Sequence, residues 1–202
     1  MRKVMTTIVC IALMLCIAMP AFAAVSGDEV KTYGTPFLIT NAGQGPGGKM
    51  ARLLVSQTGT LTLDTDYFYD SEPGAEGHGT LDDMDYSCLV VVIGSTDKGL
   101  GASGITIEDE LARLEKMVAH AKEIELPIVA VLLEKDKRSD IPTNANDRCI
   151  DAICPNAEWM VVVADGNTDG RFDKLKEEYG IPLTVIDTTL DFTELAKLAF
   201  VK

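Results

Sequence analysis

The chain reads as an α/β protein, a three-layer sandwich on a mostly parallel sheet of five or six strands in a flavodoxin-like or Rossmann-like order. Three observations predict it. Short, β-rich apolar runs alternate with segments of helical periodicity, the mark of parallel strands joined by helical crossovers. The central runs are apolar at successive residues, as strands covered on both faces must be. Glycine-rich stretches follow three of the runs, where strand-to-helix turns belong.

The first element is a segment made for export. Arg2 and Lys3 give a positive start, and an uncharged apolar stretch follows over 8–19. Pro20 breaks it, and Ala21-Phe22-Ala23 supplies the small-x-small pattern that signal peptidases read. Cleavage is expected between Ala23 and Ala24. A spanning helix needs roughly 20 apolar residues, more than this stretch offers. Cys10 after Val9 and Cys16 after Leu15 lack the small predecessor of a lipid anchor. Residues 24–35 are polar and read as a loose lead-in, and 36–202 as a single α/β domain.

Within that domain, strands are expected at 36–41, 88–94, 128–133, 159–164 and 183–187, with a weaker alternating run at 61–63. The clearest helix covers 107–124. Ile107, Leu111, Leu114, Val118 and Ala121 share one face. Thr106 stands as N-cap with Asp109 three residues on, and Pro127 closes the helix. Shorter helices fit 49–58, 144–153, 172–179 and 192–200, with Gly59 and Gly180 as C-terminal stops. The acidic stretch 67–85, which contains Pro73, reads as a loop with little helix beyond 81–84.

The formal net charge of −13 becomes −15 once Arg2 and Lys3 leave with the signal. Such a surface repels nucleic acid and anionic lipid within a Debye length. Polynucleotide partners and stable membrane insertion after cleavage are therefore excluded; solubility is the ordinary use of the acidity. Cleavage leaves 179 of 202 residues, one domain by size. Of five cysteines, Cys88, Cys149 and Cys154 remain. Cys88 opens an apolar run and belongs in the core. Cys149 and Cys154 could close a small disulfide loop, although a helix holds such positions on different faces. No CxxC and no Cys/His cluster supports zinc.

Ligands of open α/β sheets bind beyond the carboxyl ends of the strands, the edge where all three glycine loops belong. The first runs Gly43-Gln44-Gly45-Pro46-Gly47-Gly48-Lys49. It fits the GxGxxG dinucleotide pattern, with Asp64 in the place of the ribose-binding acid. It also fits the GxxxxGK phosphate pattern, except that Met50 stands where Ser or Thr must bind magnesium. The two patterns exclude one another, and both ask for nucleotides, which are scarce outside the cytoplasm. A general cradle for a polar or anionic ligand survives, made from backbone N–H groups at the positive end of a helix. A tight turn that needs glycine accounts for the same residues.

The second loop, 94–104, lies between the most apolar strand and the best helix, and loops this long are commonly functional. Ser95-Thr96-Asp97-Lys98 spells SxxK, but no KTG or SDN accompanies it, so Ser95, Thr96 and Lys98 are read as ligand contacts. In the third, Asp165-Gly166-Asn167-Thr168-Asp169-Gly170 has the form of half a calcium loop, with oxygens at Asp165, Asn167 and Asp169 converging on a hard cation. Lys176 stands where the bidentate Glu belongs, and the same residues make helix caps with no metal. His120 lies opposite its helix's apolar stripe. His78, between Gly77 and Gly79, could reach the site edge, and a Ser–His–Asp hydrolase would need it with Ser95 or Ser103. No GxSxG supports one.

Three runs together carry a resemblance: Pro36-Phe37-Leu38-Ile39-Thr40-Asn41-Ala42-Gly43-Gln44, Lys98-Gly99-Leu100-Gly101-Ala102-Ser103-Gly104-Ile105, and Gly166-Asn167-Thr168-Asp169-Gly170. Over nearly the whole mature chain the sequence resembles an uncharacterised family of exported bacterial proteins, a domain of unknown function. The resemblance implies a compartment and a fold and brings no reaction. It also implies a first loop of Ala-Gly-Gln, then serine and proline, without Gly-Lys; this chain departs at Gly45 and at Gly48-Lys49.

The sequence thus reads as an exported soluble domain, periplasmic or extracellular, that binds a small polar or anionic ligand at the strand-end crevice. Gln44, Gly45, Gly48, Ser95, Thr96, Lys98 and Gly99 are the expected contacts; no catalytic residue is assigned, and catalysis is not the favoured reading. Two alternatives stand beside it. One is an extracytoplasmic hydrolase using the same loops, with His78 or Asp97 as acid or base. The other is an interaction or scaffold protein stabilised by calcium, the one cofactor the sequence leaves open. An envelope transporter or receptor is the expected protein partner.

Overall fold

Seven strands form one sheet in the computed structural model, which describes residues 25–58, 66–69, 81, 85–134 and 144–201. They are β1 (Val25–Gly27), β2 (Phe37–Ala42), β3 (Asp66–Tyr69), β4 (Leu89–Ile93), β5 (Ile128–Leu132), β6 (Trp159–Val163) and β7 (Leu183–Ile186). Their spatial order is β1-β7-β6-β5-β4-β2-β3. Six run parallel, and β1 joins the edge antiparallel, Val25 opposite Ile186. The first parallel strand lies between the second and the third, which is the flavodoxin-like order. A Rossmann-like order would put the second strand between the first and the third.

The helices are α1 (Gly47–Ser56), α2 (Asp97–Ala102), α3 (Ile107–Glu123), α4 (Ala145–Ile153), α5 (Arg171–Tyr179) and α6 (Phe192–Ala199). Strand alternation divides the core into two layers. From β4, Leu89, Val91 and Ile93 join Leu114, Val118, Ile150 and Phe172 of α3, α4 and α5. Val90 and Val92 join Ala51, Leu54, Leu195 and Ala199 of α1 and α6 on the other face. Each fully buried aliphatic side chain contributes about 1.5–3 kcal/mol relative to exposure, so both faces of the strand must be apolar. The continuous Val/Ile/Leu runs in the sequence are the result. Among the described residues no helix is long and apolar enough to cross a membrane.

Helix boundaries follow their caps. Thr106 Oγ1 accepts from Asp109 N at 3.1 Å and Asp109 Oδ2 accepts from Thr106 N at 2.8 Å, closing a capping box on α3. Asn144 Oδ1 accepts from Asp147 N at 2.8 Å and starts α4. Gly180 ends α5 in the left-handed conformation, φ 68°.

Three elements differ from the sequence expectation. The lead-in is not loose: β1 pairs with β7, and Tyr33 N donates to Ala199 O at 2.6 Å. Polar composition hid this edge strand because only one of its sides meets the sheet. The second parallel strand is Asp66–Tyr69, part of the stretch read as acidic loop; the alternating run at 61–63 lies outside the described residues, as do Asp64 and His78. The second glycine loop contains a short helix, α2. Gly99 and Gly101 mask it in a propensity reading, but Thr96 Oγ1 accepts from Gly99 N at 3.0 Å and caps it.

Candidate functional site

The strand order turns at β2 and β4, and the crevice beyond their carboxyl ends is where such sheets receive ligands. The loops that follow these two strands touch backbone to backbone. Gly94 N donates to Ala42 O and Gly45 N to Gly94 O, both at 2.9 Å. Glycine is required for that contact. A Cβ on Gly43, whose φ is +93°, would lie 2.5 Å from Ser95 Cβ and 2.6 Å from Gly94 O; one on Gly45 would lie 2.5 Å from Gly94 O. Gly47 begins α1 against β4, its Cβ position 2.8 Å from Val92 Cγ1.

A buried polar frame holds the loop pair from below. Glu110, in the first turn of α3, is fully buried. Its Oε1 accepts from Gly43 N at 2.7 Å, and both its oxygens accept from Arg113, Oε2 from Nε at 3.0 Å and Oε1 from NH2 at 2.6 Å. The same NH2 donates to Asn41 O at 2.7 Å. Burial pushes the Glu110 carboxyl up, but Arg113, Gly43 N–H and the Gln44 side chain outweigh it and hold the group below its ordinary value. Asn41 Oδ1 accepts from Gly48 N at 2.7 Å. On the second loop, Asn146 Oδ1 accepts from Ser95 N at 3.1 Å.

These bonds change the meaning of the first glycine loop. The N–H groups of Gly43, Gly45 and Gly48, the donors a phosphate pattern would offer, are all spent inside the protein. The carboxylate they meet is the chain's own Glu110. A second carboxylate, Glu134 after β5, comes over the loops from the side: Cβ atoms on Gly94, Gly47 and Gly45 would lie 3.1, 3.2 and 3.4 Å from its Oε1.

The residues singled out in the sequence fall into two sets. Gln44, Gly45, Ser95, Thr96 and Gly99 lie together; a Cβ on Gly99 would be 3.0 Å from Thr96 Oγ1 and 3.5 Å from Gln44 O. Within this set the Gln44 side chain turns to Glu110 and Ser95 is buried. Gly48 is buried at the start of α1, while Asp97 and Lys98 are exposed on α2. Glu110, Arg113, Asn146 and Glu134 were not singled out. Glu110 had a signal: it stands within the apolar stripe of α3, three residues after Ile107 and four before Leu114, with a cation three residues on.

The third glycine loop stands apart from this pair. It follows β6, which is separated from β4 by β5, about 10 Å at ordinary strand spacing. Its polar side chains face the start of α5. Asn167 Oδ1 accepts from Phe172 N at 2.9 Å, Asn167 Nδ2 donates to Asp173 Oδ2 at 2.8 Å, and Asp169 Oδ1 accepts from Arg171 N at 3.2 Å. No group of three or more His, Cys, Asp or Glu side chains is placed to hold a metal among the described residues. Cys88, Cys149 and Cys154 are buried, and none of the three is in a disulfide. Burial pushes the Cys88 and Cys149 thiols up to about 12.

A cavity of about 490 Å³ opens at the opposite, amino edge of the sheet, lined by Asp28, Lys31, Lys176 and Pro182. Its lysines are paired, Lys176 Nζ with Asp28 Oδ2 at 2.6 Å and Lys31 Nζ with Glu158 Oε2 at 3.6 Å. Asp28 Oδ2 also accepts from Leu183 N at 2.8 Å. These contacts fasten the N-terminal segment to β7, and the switch point remains the better candidate site.

No curated protein and no solved structure matches the chain significantly. A family model described as a domain of unknown function, DUF6305, matches residues 34–200, from the turn before β2 to the end of α6, and the chain belongs to that family.

Proposed function

We propose that the chain is exported with loss of residues 1–23, and that the mature domain binds a small polar ligand in the crevice between the loops after β2 and β4. Thr96, Lys98 and the Gly45 and Gly99 backbone line it, and Gln44 and Ser95 form its floor. One observation carries the reading: the fully buried Glu110 and its largely buried partner Arg113 are used to fix Gly43 and Asn41 at the sheet's switch point. Apolar side chains of similar volume are often as stabilising as a buried ion pair. Stability alone therefore does not call for this pair, whereas a binding site needs loops held in one geometry. Export is supported by the Arg2-Lys3 start, the apolar run and Ala21-Phe22-Ala23. Cleavage after Ala23 would leave β1, which starts at Val25, complete.

Native mass spectrometry of the protein purified from the producing cell's exported fraction tests both parts. The expected spectrum has a mature mass starting at Ala24 and a retained small molecule, its occupancy reduced in Thr96→Ala and Lys98→Ala. A chain retaining Met1 overturns export. A retained molecule indifferent to both substitutions, or none at all, overturns the crevice reading.

A further inference from the structure

At the crevice floor, two buried side chains carry donors with no oxygen acceptor. Asn146, in the first turn of the nine-residue helix α4, is 1% exposed, and Ser95 is 2% exposed. Asn146 Oδ1 accepts from Ser95 N. That contact fixes the amide, because exchanging its oxygen and nitrogen would set two donors against each other. Nδ2 is then the buried remainder, and it makes no hydrogen bond; Ser95 Oγ has no oxygen or nitrogen partner and meets only the Cys149 thiol, a weak acceptor. Leaving a buried polar group unpaired costs about 1–3 kcal/mol, and such groups are few in folded proteins. Both missing partners are acceptors, and the positive end of α4 favours negative charge at the same place.

We propose that Ser95 Oγ and Asn146 Nδ2 form a subsite for one carboxylate oxygen of the crevice ligand. This rests on the crevice reading and adds its chemistry. A phosphate does not suit the place, since the Gly43, Gly45 and Gly48 N–H groups that a phosphate loop would offer are spent inside the protein. A flat carboxylate needs only an edge and two donors.

Acetate is the probe. Purified, ¹⁵N-labelled protein is titrated with sodium acetate, and with sodium chloride at matched ionic strength, while the Ser95 N–H and Asn146 Nδ2 resonances are followed. Acetate should shift both along a saturating curve that chloride does not reproduce. Asn146→Asp keeps an oxygen for Ser95 N–H but replaces the donor with a second acceptor, and should weaken acetate by about tenfold or more. Ser95→Ala, which removes only a hydroxyl, carries the test if the first variant does not fold, and should weaken acetate several-fold. A linear drift in both salts, or a curve unchanged in the variants, overturns the subsite and leaves a buried water as the acceptor. In native mass spectra, a ligand lost in Thr96→Ala yet kept in Asn146→Asp overturns the subsite alone. No retained ligand and no acetate response overturn both readings.

Discussion

Gly43 N–H donates to Oε1 of Glu110 at 2.7 Å across 67 residues of sequence, fastening the loop after β2 to a helix that begins beyond the loop after β4. Glu110→Ala removes this acceptor and leaves Arg113 without its buried carboxylate. The expected loss is roughly 3–5 kcal/mol, the cost of breaking a buried pair from one side, read as a drop in the urea midpoint.

The same carboxylate predicts a pH dependence. Its folded-state value lies below the ordinary glutamate value, which is about 4.3. The stabilisation is therefore complete above that pH and is lost as pH falls through the depressed folded value. Between neutral pH and acid, wild-type stability should decline more than that of Glu110→Gln, which has no such proton to bind. Equal slopes in urea titrations across that range would contradict the assignment.

Two glycines of the crevice loops should respond with opposite signs. Gly43→Ala drives a Cβ into Ser95 and Gly94 at a φ of +93° and should cost at least ~2 kcal/mol. On α2 a Cβ at Gly101 meets nothing within 4 Å, and Gly101→Ala should stabilise by about 0.5–1 kcal/mol. Chemical denaturation of the two variants against wild type reads both.

The thiols give a covalent test. Cys88, Cys149 and Cys154 are buried and not joined in disulfides, and reaction requires exposed thiolate. Folded protein near neutral pH should react negligibly with dithiobis(nitrobenzoate), and protein unfolded without reductant should release three thiols. A single thiol would mean that two of the three are joined, and peptide mapping would show whether they are Cys149 and Cys154.

In the third loop, Asn167 caps Phe172 N–H and Asp169 caps Arg171 N–H. Asn167→Ala should cost about 1 kcal/mol through the lost cap. The cost should be the same in millimolar calcium and in chelator, measured as Tm. A calcium-dependent Tm in wild type that Asn167→Ala abolishes would instead support calcium at Asp165, Asn167 and Asp169.

The fold was legible where burial on two faces dictates composition. β4 and β6 carry nothing but apolar residues, and the α3 stripe and its capping box lie within one window of sequence. The loops were located for the same reason, since strand–helix alternation fixes which end of each strand they follow. What escaped was every relationship made across the sheet. Nothing local to Gly43 says that its N–H will meet Glu110, and nothing local to Asn146 says that it will hold Ser95. GxGxxG and GxxxxGK describe spacing, and spacing does not report whether the donors are already taken. Val25–Gly27 was missed because its pairing lies wholly with β7, at the far end of the sequence.

That last pairing has a consequence for handling the protein. β1 covers the outer hydrogen-bonding row of β7, and Asp28 anchors it through Leu183 N–H and Lys176. Proteolytic trimming past Asp28 would strip the cover and bare a strand rich in β-branched residues, the kind of rim on which other molecules add strands of their own. The short strand Val25–Gly27 thus shields that edge against self-association, and preparations nicked past Asp28 should turn turbid long before they unfold.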